Sequence, residues 1–337
     1  MPDSSDIREA DPVDPDIRRF VREISAGFAG HPGFESAPYP QARAIAEQVR
    51  RPWREGGPVM AQTLDLTSPG CARLRIHYPK AQAPEAQAPE AQALSPALVY
   101  LHGGGWTIFS IDTHDRLMRE YAKRSGLVVV GIDYPLSPEA KYPTALNEIV
   151  ETVRWLARDG AALGIDSRRL YIGGDSAGGN LSLATALKLR DESEGDLVKG
   201  LLLNYGAFTD ACSDEAAQRY GGEDFMLGAD EMRVYWANYL RTTADAAEPY
   251  ACPMRASLAG LPPVFLVVAE CDVLAEQSHA MAARLKDAGV AATMEVYRGA
   301  THSFLEAVSI SPLADKAIAD ASAWLAGRAA ADAGGSA

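Results

Sequence analysis

The sequence predicts an α/β protein: a mostly parallel sheet covered by helices on both faces. Three observations predict it. Apolar runs of strand length, ALVYLH at 97–102, LVVVGIDY at 127–134, GLLLNYG at 200–206 and PVFLVVAE at 263–270, lack the in-out alternation of a half-exposed sheet, as strands buried on both faces do. Ala145, Leu146, Ile149, Val150, Val153, Leu156 and Ala157 recur at helical spacing between two such runs. Strand and helix signals then alternate along the chain, the order that joins parallel strands through crossing helices.

Taken in order, residues 1–55 read as helical pieces. Ile17, Phe20, Val21, Ile24 and Phe28 share one helical face, and Ala42, Ile45, Ala46 and Val49 another. Because they precede the first strand pattern, they are expected to form part of a helical cap; a docked arm without substrate contact fits the same pattern. RLRIHY at 73–78 alternates as a strand. The pentapeptide AQAPE then occurs twice, at 81–85 and 86–90, and its Ala, Gln and Pro without periodicity predict an extended loop, to which no role is assigned. After strand 97–102 come Gly103-Gly104-Gly105-Trp106, a helix over 115–125, strand 127–134 and the proline-stiffened PLSPEAKYP, where Glu139 is placed to bond backbone or an arginine. A long helix starts at Thr144. Leu170-Tyr171-Ile172 form the next strand, followed by GGDSAGGN and an apolar helix. The rhythm breaks over 208–250, where Phe225, Met226, Tyr235, Trp236 and Tyr239 lie on short helical patterns, as an insertion closing over the strand ends would. The sheet resumes at 263–270 and 292–299, and a last helix runs to about Ala326. The expected division is a cap from 1–55 and 208–250, a sheet-bearing domain from 56–207 and 251–330, and a flexible tail at 331–337.

Composition narrows the function. The chain has 337 residues, 47% apolar and 23% charged, with net charge −13 and no block of Lys or Arg. Nucleic acid and anionic membranes need a basic face, so neither is expected as a partner. The N-terminal MPDSSDIREADPVDPDIRRF is charged throughout and is not read as a secretory signal. No apolar run approaches the roughly 20 residues of a bilayer span. Cys71, Cys212, Cys252 and Cys271 are scattered without a C-x-x-C pair and are expected as reduced thiols in a cytoplasmic protein.

Gly174-Asp175-Ser176-Ala177-Gly178 follows a strand directly and opens a helix. This fits the G-x-S-x-G nucleophile elbow, in which a tight turn presents a strained, exposed serine. A bare Gly-rich turn explains the pentapeptide less well, and phosphate loops are excluded because no Lys follows and the glycines do not fall as G-x-G-x-x-G. At the start of a helix, Ser176 sits beside unpaired N–H groups suited to a developing anion. His102-Gly103-Gly104-Gly105 after a central strand is the pattern that completes the oxyanion hole of lipases and esterases. A serine needs a base. Of the six histidines, His31 and His77 lie away from the relevant strand ends, His102 precedes the glycines, and His114 and His279 fall on or near helices. His302 alone follows a late strand in a short loop. Asp133 and Asp272 end strands, and the elbow order of serine, acid, histidine selects Asp272, with Glu270 as its nearest competitor.

Together HGGGW, DYPLSPEAKYP, GDSAGGN, a strand-end Asp and THSF resemble the hormone-sensitive-lipase family of α/β-hydrolases, most of all its bacterial acetyl-esterase branch, over roughly residues 70–327. The resemblance implies an α/β-hydrolase fold with a helical cap. It also implies a Ser176–His302–Asp272 triad, oxyanion amides at Gly104, Gly105 and Ala177, and structural roles near the site for His102, Gly103 and Glu139. Trp106, Asp175, Phe208 and Phe225 are expected to line the substrate pocket. The expected activity is a serine carboxylesterase cleaving short acyl esters, acetyl to about hexanoyl, without metal or cofactor. An amidase acting on an N-acetylated metabolite and a non-catalytic receptor on the same fold are the alternatives. One departure stands out: the family often has D-P-L-x-D after the acid, whereas Asp272 is followed by Val273, Leu274, Ala275 and Glu276, which predicts a less rigid loop. The sequence does not fix the oligomeric state: the edge strand at 292–299 is able to pair with its copy in a homodimer, and a monomer is equally open.

Overall fold

The computed structural model describes residues 11–70, 72–80 and 94–334. The AQAPE repeat and Cys71 lie outside them.

Among the described residues, one sheet contains β1 (Gln62–Thr67), β2 (Arg73–Tyr78), β3 (Ser95–Leu101), β4 (Val128–Asp133), β5 (Ile165–Asp175), β6 (Leu201–Asn204), β7 (Val264–Cys271) and β8 (Ala292–Thr301). Their spatial order is β1-β2-β4-β3-β5-β6-β7-β8. The first two pairings, β1 with β2 and β2 with β4, are antiparallel; every later one is parallel. β1 is the strand that the sequence pattern did not predict, because Leu64 and Leu66 are only half-buried and the residues beside them are exposed.

The helices are α1 (Pro15–Ala29), α2 (Tyr39–Arg54), α3 (Asp115–Ser125), α4 (Thr144–Asp159), α5 (Ala177–Asp191), α6 (Asp214–Tyr220), α7 (Ala229–Tyr239), α8 (Ala275–Asp287) and α9 (Pro312–Gly334). Alternation along the strands serves two cores. Leu98, Tyr100, Val129, Leu202 and Val267 pack with α1, α3 and α9 on one face. On the other, Val99, Leu101, Val130, Ile172 and Leu266 pack with α4, α5 and α8. No described helix is long and apolar enough to cross a membrane.

α1 starts where Asp14 accepts from the Asp16 and Ile17 amides and Pro15 fills the first turn, both favourable at a helix start. It buries Ile17, Phe20, Val21 and Ile24, the face that the spacing predicts. α9 outruns its expected end: residues 331–334 are helical rather than a loose tail, and Asp332 accepts from the Tyr171 hydroxyl and from Arg328. Both partners hold the last turn in place.

The chain leaves β3 for β4 on one side and then crosses to β5 on the other. Such a reversal opens a crevice at the carboxyl ends of the strands. There α5 crosses the end of β3 with almost no clearance. A Cβ on Gly178 would lie 1.9 Å from the Leu101 carbonyl oxygen, and one on Gly174 would lie 2.2 Å from it. Since the obstacle is backbone, a side chain cannot swing aside. Gly178→Ala is expected to destabilise the fold by about 3 kcal/mol, the upper range for overpacking, read as a lower urea midpoint with an unchanged slope.

Candidate active site

The elbow turns at Ser176, whose φ of 55° and ψ of −117° are strained for a residue with a side chain. The turn is pinned on both sides: the Ser176 amide donates to the Asn204 carbonyl on β6 at 2.9 Å, and the Asn180 and Ala207 amides donate to its own carbonyl. Its hydroxyl is therefore aimed, not free to search.

His302 follows the last residue of β8. Its Nε2 lies 2.9 Å from Ser176 Oγ and its Nδ1 2.7 Å from Asp272 Oδ2. With the ring proton on Nδ1, it donates to the carboxylate and accepts from the serine. The Tyr205 ring meets the imidazole edge-on at 5.0 Å. Asp272, just past β7, is 1% exposed; His302 is 5% and Ser176 6% exposed. The loop lacking D-P-L-x-D is held by other means. Asp272 Oδ1 accepts from the Leu274 amide at 2.9 Å, and Glu276 accepts from the amide and hydroxyl of Ser213 in the inserted segment. Glu270 is engaged elsewhere, accepting from the Gly299 amide at 2.9 Å.

Beyond β3, positive φ angles at Gly104 (110°), Gly105 (58°), Trp106 (56°) and Phe109 (70°) wind the loop tightly. Among the described residues, the amides of Gly104, Gly105 and Ala177 donate to no protein acceptor. Gly103 has no room for a side chain: a Cβ there would lie 2.3 Å from Asp175 Oδ2.

Asp175 corrects one pocket expectation. It points behind the serine, where Oδ1 accepts from the Tyr100 hydroxyl at 2.8 Å and the Gly103 amide at 3.1 Å, and Oδ2 faces His114 Nε2 at 3.2 Å. Both of its oxygens are engaged there, and it anchors the glycine loop. Burial opposes charge on His114, yet the attraction and hydrogen bond of Asp175, with help from Glu306, lift its pKa to about 9. Burial likewise opposes ionisation of Asp175, but His114 and Tyr100 bring its pKa below the usual value. His102 goes the other way. Burial, then the neighbouring His114 charge, lower it to about 4, and it stacks on Tyr134 at 4.2 Å while its Nδ1 meets the Gly103 carbonyl at 2.8 Å.

The other pocket expectations also change. Trp106 is 1% exposed and stacks on Tyr239 at 4.3 Å beside Trp236, so its ring packs against α7. Phe208 is fully buried, its ring against Gly206. Phe225 is partly buried, packing on Tyr220 and lying 5.7 Å from the Arg18 guanidinium. Glu139 accepts from both Nη atoms of Arg43 at 3.0 and 2.6 Å, and this bond holds its pKa below the usual value. Sequence reasoning passed over His114 because it begins a helix; the available signal was a buried carboxylate at 175 in need of a cation. Tyr235, one of the aromatics expected on the insertion, lies over the glycine loop: its ring covers Gly105 so closely that a Cβ there would lie 2.2 Å from it.

A buried serine, imidazole and carboxylate in series beside free amides define a serine hydrolase. The chain belongs to the alpha/beta hydrolase fold family, whose model matches residues 98–306. It is 30% identical to an ethyl acetate hydrolase of Pseudomonas putida, over 91% of this chain and 96% of that protein. It is also similar to a hyperthermophilic esterase of the archaeon Pyrobaculum calidifontis, with 31% identity, TM-score 0.86, and 94% and 99% of the two chains covered. A thermostable carboxylesterase cloned from a metagenomic library is 31% identical, with TM-score 0.80 and 87% and 98% covered. The protein is accordingly a serine esterase with a Ser-His-Asp triad.

A histidine held protonated up to about 9 stabilises the fold fully below its unfolded value near 6.5, and that contribution disappears as pH rises through 9. The wild type should therefore lose stability between pH 7 and 10. His114→Gln should be about 3–5 kcal/mol less stable at pH 7, since Asp175 is left buried without its cation, and should lack that part of the slope. Denaturant midpoints across the pH series check both.

Proposed function

We propose that this protein hydrolyses short-chain carboxylic esters, acetyl to about hexanoyl, with Ser176 as nucleophile, His302 as base and Asp272 as its orienting acid. The observation that carries the reading is the 2.9 Å approach of Ser176 Oγ to His302 Nε2, backed at 2.7 Å by Asp272.

Ser176 Oγ attacks the ester carbonyl carbon as its proton passes to His302 Nε2. The carbonyl electron pair moves onto oxygen, and the amides of Gly104, Gly105 and Ala177 hold that oxyanion. Collapse breaks the bond to the alcohol, which leaves with the proton from Nε2. Water then attacks the acyl-serine by the same route in reverse, releasing the acid and restoring the hydroxyl. Asp272 accepts from Nδ1 throughout and stabilises the imidazolium; it takes no proton.

Two observations support a short acyl chain. Ser176 is nearly enclosed, and Tyr235 sits directly on Gly105, leaving little length beside the oxyanion amides. The Pseudomonas putida relative is an ethyl acetate hydrolase, in keeping with a small acyl group. Residues 1–55 and 208–250 act in this reading as the cap that closes the site.

A fluorophosphonate probe should label the wild type and leave Ser176→Ala unlabelled. Asp272→Asn should lower kcat by about 10⁴-fold. p-Nitrophenyl acetate and butyrate should be cleaved faster than the palmitate, and an ester faster than its matched amide. A palmitate preference would overturn the chain-length assignment, and a preferred amide would reassign the protein as a deacetylase.

A further inference from the structure

α2 carries a polar stripe at Arg43, Glu47 and Arg50, spaced to share one face of the helix. Each residue grips a different part of the site. Arg43 Nε donates to the Thr107 carbonyl at 2.8 Å and Nη2 to the Ser137 carbonyl at 2.9 Å, in addition to its fork on Glu139. Glu47 Oε1 accepts from the Ser110 hydroxyl at 2.6 Å and from Thr113 Oγ1, on the turn that runs from the glycine loop to His114. Arg50 Nη1 donates to Glu306 Oε1 at 3.0 Å, on the turn that begins at His302. That last pair is buried, 5% and 7% exposed at the side chains, and the guanidinium lies 5.0 Å from the Phe109 ring.

We propose that α2 is a positioning element for catalysis: Arg43 and Glu47 fix the glycine loop, Arg50 fixes the His302 turn, and the helix between them sets the spacing of oxyanion amides and base. This inference rests on the reaction proposed above. Two physical arguments carry it. Both gripped segments carry strained backbone, at Trp106 (φ 56°) and Phe109 (φ 70°) on one side and Ser303 (φ 58°) on the other, and such conformations persist only where their surroundings impose them. Stability alone accounts poorly for the Arg50–Glu306 pair, since desolvation cancels most of the attraction in a buried ion pair and apolar replacements are often as stable. Placement is what the pair adds, and an error of about 1 Å in a reacting group lowers turnover by as much as about 10²-fold.

The test uses four variants of the full chain, each scored for kcat and KM on p-nitrophenyl acetate with competent sites counted by fluorophosphonate labelling. Arg43→Met removes a half-exposed grip, and its partner Glu139 is solvated. Arg50→Met/Glu306→Leu removes the buried pair without stranding a charge. Arg50→Lys keeps the cation. Arg51→Met, on the solvent face and bonded to Glu55, is the control. Arg43→Met and the paired variant should each lower kcat per labelled site about 10- to 100-fold with KM changed less than about threefold. Arg50→Lys should restore most of the loss, and Arg51→Met should match the wild type. A purely structural role predicts a lower melting temperature with unchanged kcat per labelled site, and that result overturns the proposal. Should the paired variant not fold, Arg43→Met and Arg50→Lys decide it on the same readout. An unlabelled wild type would instead sink the reaction itself, a separate outcome from labelled variants with normal turnover.

Discussion

The end of β3 and the start of α5 pass with backbone against backbone, and the site depends on that contact. Glycine at 174 and 178 permits it, because any Cβ there would run into the Leu101 carbonyl. The crossing does two things together. It forces the chain through a left-handed Ser176, which lifts the hydroxyl clear of the sheet, and it brings the Ala177 amide beside the glycine loop that leaves β3. The Ser176 hydroxyl and the Ala177 amide are thus placed by one steric fact, while His302 and Asp272 arrive separately at the ends of β8 and β7.

Beneath this contact the electrostatics are set by Asp175 rather than by the triad acid. Its carboxylate lies behind the nucleophile and takes donors from Tyr100, Gly103 and His114. Two histidines 5.6 Å apart therefore hold opposite states: His114 charged, its pKa lifted to about 9, and His102 neutral, lowered to about 4. A single buried charge with a single counterion satisfies the pocket; a second cation would meet repulsion without a carboxylate to answer it. The glycine loop is consequently tied to a neutralised pair.

Much of this was legible in the chain. Sheet type followed from apolar runs too continuous for a one-sided sheet, and the elbow from a pentapeptide whose glycines have a steric reason at that crossing. Chain order and strand ends point to Ser176, Asp272 and His302, and the serine and the aspartate each lie within hydrogen-bond distance of the histidine. The pocket residues were not legible. Trp106 and Phe208 are large and apolar near the motif, which fits a pocket wall and a core equally well; only packing shows that both are buried. Asp175 adjoins Ser176 in the chain, but successive residues around a tight turn point in different directions, and its carboxylate turns to Tyr100, Gly103 and His114. β1 was missed because an exposed edge strand carries little hydrophobic pattern.

By itself, then, the sequence determined what is local: which segments extend or coil, where small residues let the backbone pass, and which side chains have the chemistry of nucleophile, base and acid. Tertiary structure alone decided the pairings between distant segments. Arg50 with Glu306, Arg43 with the Thr107 and Ser137 carbonyls, and His114 with Asp175 are joined across long stretches of chain. No periodicity encodes such partners. A buried charge declares that it needs a counterion, but the identity of that counterion depends on how the helices settle on the sheet, and packing is what fixes that.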